Sequence, residues 1–161
     1  MPTADRAADG YALALEEARR ALDEQERMVA QLSTRAGMLV SAAAVVTSFF
    51  GGPVLAQATV DAAAWLAIAA YVALTAAVLA ILRPRQTWEF ALHPAPLIER
   101  LLEASRGFRL PDLRRELALH MGASIDHNAL EIGAMTKSFH IASVLLAVEI
   151  VAWVVSIATV G

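Results

Sequence analysis

Cysteine is missing from all 161 residues of this chain, which excludes a disulfide framework, a thiol nucleophile and a thiolate metal site. Charge is scarce too: charged residues make up 18% of the sequence, where a soluble domain carries about a quarter. The shortage is local. No Asp, Glu, Lys or Arg stands between Ala36 and Val60 or between Ala62 and Leu82, and from Ser138 to the end there is only Glu149. Proline is absent from Thr3 to Gly52 and from Asp112 onward, so neither stretch contains that helix breaker. A Gly-rich phosphate loop, a nucleophile elbow and a zinc-protease helix are also lacking. The sequence therefore carries no enzyme signature, and no catalytic residue, cofactor or metal is expected.

What is present is apolar: 58% hydrophobic residues and a mean hydropathy of +0.54. A helix needs roughly 20 apolar residues to cross a bilayer core of about 30 Å, and the segments 36–55, 62–82 and 138–159 each suffice. A soluble bundle of three such helices would need a polar shell that the other residues cannot supply. The first thirty-five positions are charged and helix-forming, with no apolar run of the kind a signal peptide requires. The expected fold is all-α, an integral membrane protein with three transmembrane helices in a single membrane domain, 1–161. Its parts are a cytoplasmic helical arm (5–35), the three spans, and a cytoplasmic helical region (86–137) between the second and third.

The basic residues orient it. Five arginines precede the first span, and seven arginines and Lys137 lie between the second and third, which accounts for all thirteen Lys and Arg. The positive-inside rule then puts the amino terminus and the large loop in the cytoplasm and the carboxyl terminus outside, in a bacterial cell membrane. Those cations are interleaved with acids, so no nucleic-acid role is expected.

Residues 5–35 are rich in Ala, Leu, Glu, Arg and Gln and show a heptad: Ala8, Leu15, Leu22 and Val29 at one position, Tyr11, Ala18, Gln25 and Leu32 at the other. Such a stripe packs either on the cytoplasmic part of its own chain or on the arm of another subunit. Glu16 with Arg20 and Asp23 with Arg27, four apart, support a solvated face. The arm and first span are expected to form one rod, ended by Gly51, Gly52 and Pro53. The second span starts near Trp65 and stops at Arg83-Pro84-Arg85, with Trp88 at the inner interface. A short helix is expected over Pro96 to Ser105, closed by Gly107. A final long helix follows Pro111, with Gly122 and Gly133 as soft points.

Glu149 falls at the middle of the third span, where an ionisable side chain is costly and marks an ion or proton path more often than chance. Thr47 on the first span and Tyr71 and Thr75 on the second lie at similar depth and could bond it or share water with it. The bland alternative is a neutral Glu149 that holds helices together. At 100° per residue, His120, Ser124, His127, Glu131, Ser138, Ala142 and Ser156 fall within about 40° of Glu149, so one polar face is expected from the cytoplasmic helix through the membrane. It would line a path in an oligomer or face the other two helices in a monomer. His120 and His127 stand two turns apart, about 10 Å, too far to close a metal site on one helix.

The run Leu32-Ser33-Thr34-Arg35-Ala36-Gly37-Met38-Leu39 at the membrane entry, the exit Leu82-Arg83-Pro84 and, more loosely, Asn128 to Glu149 resemble the small bacterial membrane effectors of nucleotide-signalled anti-phage systems, the Pycsar transmembrane effector and SLATT-like domains. In those families the entry often reads Asp, one residue, then Lys-Ala; here Ser33 and Arg35 take those places. The resemblance implies a protein that assembles in the bilayer and perturbs it. These residues hold no cyclic-nucleotide domain, so it also implies a cytoplasmic nucleotide-sensing partner or sensing by the cytoplasmic helices themselves. The leading expectation is a homo-oligomeric pore-forming effector. The competing one is a non-conducting scaffold or regulatory subunit that binds a partner through its arm. A transporter would need an inverted repeat or a pair of broken spans, and neither is visible.

Overall fold

The computed structural model describes residues 2–56, 60–83 and 110–160, and among them there is helix and no strand. Helix α1 spans Pro2–Val46 and passes into one π-type turn, Thr47–Gly51, and the short helix α2, Gly52–Leu55. Helix α3 spans Ala62–Leu82, and α4 runs without interruption over Leu110–Val160. Three helical stretches, Ala8–Leu55, α3 and Leu110–Thr159, are long and apolar enough to cross a membrane.

Local chemistry accounts for most boundaries. α3 begins where Asp61, in extended backbone, accepts a hydrogen bond from the backbone N–H of Ala64 at 2.8 Å, an N-cap in front of the apolar run. In α4, Gly122 and Gly133 interrupt nothing; a single glycine costs about 1 kcal/mol in a helix, too little to break one of 51 residues. The Gly51-Gly52-Pro53 sequence does not end the first rod as expected, since helical backbone continues to Leu55. Pro53 lies in the first turn of α2, and the widened turn before it relieves the clash between its ring and the preceding carbonyls. The expected helix over 96–105, Gly107 and Trp88 lie outside the described residues.

The chain forms two compact units, and α1 and α4 contribute to both. The first comprises Met1–Val29 and Arg85–Ile132. Its core sets Leu15 and Leu22 of α1 against Met121 of α4, flanked by Ala18, Leu117, Ala118 and Ile125. The arm's heptad stripe is thus used on its own chain. Gln25 belongs to this seam and donates through Nε2 to the Ile125 carbonyl at 3.0 Å. On the solvated side Arg20 pairs with Glu17, at 3.9 Å, and not with Glu16.

The second unit comprises Ala30–Pro84 and Gly133–Gly161. Val54, Ala64, Ala67, Ala152 and Trp153 make a core, with Val46, Phe50, Val60 and Ile68 against it. Ala36, Ala43, Ala70 and Ala142 are buried as well. Small side chains let helix backbones approach closely, which is how helices gain packing energy in lipid, where no hydrophobic force drives them together. The large apolar residues point the other way: Met38, Val45, Phe49, Val72, Leu79 and Val151 are exposed on the outer faces.

Candidate functional site

The site is built on a seven-residue rhythm. Along α4 the buried side chains Met121, Asn128, Met135, Ala142, Glu149 and Ser156 recur every seventh residue, and along α1 Leu15, Leu22, Ala36 and Ala43 keep the same spacing. A sustained repeat of seven means an effective 3.5 residues per turn, the signature of helices that coil around their neighbours.

That rhythm carries Glu149 into the second unit, with no exposed surface. Thr47, the first residue of the π turn, donates its hydroxyl to Glu149 Oε1 at 2.6 Å. The other carboxyl oxygen, Oε2, and the indole nitrogen of Trp153, one turn further along α4, are buried without a hydrogen bond of good geometry, although the indole N–H lies close enough to act on the carboxyl. Trp153 is itself wholly buried. Its ring lies against Gly51, the last residue of the π turn, so closely that a Cβ there would stand 3.3 Å from two ring carbons. Glu149 and Trp153, four apart on one helix, therefore hold Thr47 and Gly51, four apart on the other.

The remaining expected residues divide. Thr75 donates to the Tyr71 carbonyl of its own helix at 2.9 Å, and Tyr71 is half-buried; neither bonds Glu149. Ser138 donates to the Ala134 carbonyl on its own helix. Ser156 is buried, but it serves a different group: its hydroxyl donates to Asp61 Oδ1 at 2.8 Å, while Thr159 donates to Asp61 Oδ2 at 3.1 Å.

The continuous polar face is corrected. His120 and His127 are exposed, Ser124 is buried and donates to the His120 carbonyl, and Glu131 is half-buried. A straight-helix projection at 100° per residue drifts by about 20° in each heptad relative to a 3.5-residue repeat. Over the four heptads from Glu149 back to Met121 that is about 80°, enough to place His120 on the wrong side. The buried polar residue at the repeat position is Asn128.

Three features were not anticipated from the residues. Asp61 both caps α3 and receives two hydroxyls from α4; the cap was legible, as an acid directly before an apolar run. The Ala64 N–H first, and then the Ser156 hydroxyl, hold its carboxyl below the usual carboxylate range. Trp153 carried no signal beyond being an aromatic in a span. Asn128 and the Gln25 Oε1 are buried in the first unit without hydrogen-bond partners, which a heptad count alone could suggest only for Gln25.

Chemically, the Glu149 site can hold or release a proton and can tie the π turn to α4. It presents nothing to the outer faces of the spans. The chain matches no family model, no curated protein and no solved structure.

Proposed function

We propose that the chain is a non-enzymatic, membrane-perturbing effector of bacterial cells that works as a homo-oligomer, with Glu149 gating its ion path instead of lining a shared wall. The observation that carries this reading is the full burial of an intramembrane carboxyl with one oxygen bonded to Thr47 and the other unpartnered. A group so costly at that depth is retained where it has work to do. Three spans are too few to enclose a wide path, so conduction calls for several copies and for rearrangement around the Thr47–Glu149 contact. The proposed placement has the amino terminus and the large loop in the cytoplasm, by the distribution of Lys and Arg. A role in anti-phage defence, with a nucleotide-sensing partner, rests on the resemblance of the entry and exit segments. Flux from liposomes, or depolarisation of expressing cells, is the test: Glu149→Ala should change the flux several-fold. Equal flux in both chains would remove Glu149 from the mechanism, and none under any assembly condition would remove the pore.

A second reading is favoured by a different observation. The exposed side chains of the spans are mostly large and apolar, among them Met38, Val45, Phe49, Val72, Leu79 and Val151, and the exposed Ser41 and Ser48 donate to carbonyls of their own helix, so the surfaces open to another copy offer little polar wall. On this reading the chain is a non-conducting scaffold or regulatory subunit whose cytoplasmic helices recruit a soluble partner. It predicts a stable complex that is lost when residues 5–35 or 86–137 are deleted, with no conductance in either case.

A further inference from the structure

We propose that Thr47, Glu149 and Trp153 form a proton-binding site inside the second unit, and that the proton's presence sets the position of Trp153 against the π turn. As a site it stands on geometry alone; its use as a gate rests on the function proposed above.

The argument begins with the unpaired atoms. Oε1 of Glu149 accepts from Thr47, which leaves Oε2 to decide what the carboxyl does next. When Oε2 carries the proton it is a donor, and an indole N–H, which can only donate, has little to offer it. When the proton leaves to water, Oε2 becomes a pure acceptor buried in low dielectric, where an unpaired charge is expensive. The buried donor left without a partner among the described residues of this unit is the indole N–H of Trp153, one turn away. The indole already lies near the carboxyl, and deprotonation therefore tightens that contact into a full hydrogen bond.

Trp153 cannot turn without consequence. Its ring fills the space over Gly51, and Thr47 is the residue at the other end of the same π turn. Both ends of the turn are thus held by the two side chains whose bonding depends on the proton. Single π turns inside α-helices are found frequently at functional sites.

No other charge competes for Glu149. The described titratable or charged side chains of this unit are Arg35 on α1, Asp61, Tyr71 and Arg83 along α3, and Lys137 and His140 on α4. Asp61 is held by Ser156 and Thr159, Tyr71 is half-buried, and the other four are exposed; none bonds Glu149.

The experiment uses the full chain in lipid vesicles with Trp65→Phe and Trp88→Phe, which leaves Trp153 as the single tryptophan. Its emission should follow a one-proton curve with pH while helix content by circular dichroism stays constant. The curve should disappear in Glu149→Gln and shift its midpoint in Thr47→Val. Constant emission across pH, or an unchanged curve in Glu149→Gln, overturns the site. Should Glu149→Gln not insert, Glu149→Asp takes its place: a displaced midpoint supports the site, and an unchanged one overturns it. Flux read from the same vesicles separates the two proposals. A titration curve without flux keeps the site and removes the pore, whereas flux without a titration curve does the reverse.

Discussion

A carboxyl group buried between helices loses its hydration, and Glu149 recovers only part of that loss through its bond to Thr47. Thr47→Val removes the bond and leaves both oxygens bare. It should destabilise the protein by about 0.5–2 kcal/mol, the range of hydrogen bonds between membrane helices, as measured by reversible unfolding in mixed micelles. With Glu149→Leu already in place, the same substitution should cost much less, because the partner is gone. Two neighbouring glycines give a sharper comparison. Gly51→Ala drives a methyl against the Trp153 ring and should cost about 1–3 kcal/mol, whereas a Cβ at Gly52 meets only the ring of the following Pro53, so Gly52→Ala should cost less. Asp61 supplies a pH dependence. Its carboxyl titrates below the usual range because the charged form accepts from Ala64 and Ser156. The resulting stability is fully present above the ordinary carboxylate value and is lost as pH falls through the lowered folded value. On acidification the wild type should therefore lose more stability than Asp61→Asn, read as the difference between their unfolding midpoints at each pH.

At the scale of the helices, the first unit contains a local conflict. Its seam is apolar at Leu15, Leu22 and Met121, yet Asn128 is completely buried with neither amide atom bonded. A buried unsatisfied polar group costs about 1–3 kcal/mol, so Asn128→Leu should stabilise this unit by a similar amount. Hydrogen exchange along α1 should slow in the variant; faster exchange would mean that Asn128 has a bonded role which the packing does not reveal. Polar residues at such positions commonly specify register at the expense of stability, and the arm's weak seam at Ala18 and Gln25 fits that pattern. The arm's stripe was legible as a heptad, but whether it served its own chain or a second copy was not. Both partners would present the same leucine-rich face, and only the folded chain shows Leu117 to Ile125 already covering it.

For the whole molecule the decisive contrast is between the two tryptophans of the described spans. Trp65 is 63% exposed at the start of α3, while Trp153 is wholly enclosed. In vesicles of brominated lipid, a chain retaining only Trp65 should be strongly quenched and one retaining only Trp153 should be nearly unaffected. Equal quenching of both would contradict the enclosure of Trp153 by the second unit. The outer faces of the spans are mostly apolar, broken by Ser41 and Ser48, and the polar groups at their core are Glu149 with Thr47 and Ser156 with Asp61. An aqueous path between copies would find few polar groups on these faces, which favours rearrangement within a unit.

Composition alone determined the all-helical class, with three stretches long and apolar enough to cross a membrane, and the extent of α3, because its charge-free run is bounded by Asp61 and Arg83. That Glu149 stands level with Thr47, Tyr71 and Thr75 was legible by counting along each helix, but not that it is Thr47 that bonds it. Azimuth cannot be counted that way. Which side of α4 faces inward depends on how the helices coil around one another, and the change from 3.6 to 3.5 residues per turn accumulates until His120 and Asn128 exchange roles. The clasp of Glu149 and Trp153 on the π turn, and the sharing of Asp61 between α3 and α4, join residues about a hundred positions apart. They are consequences of packing, which only the tertiary structure decided.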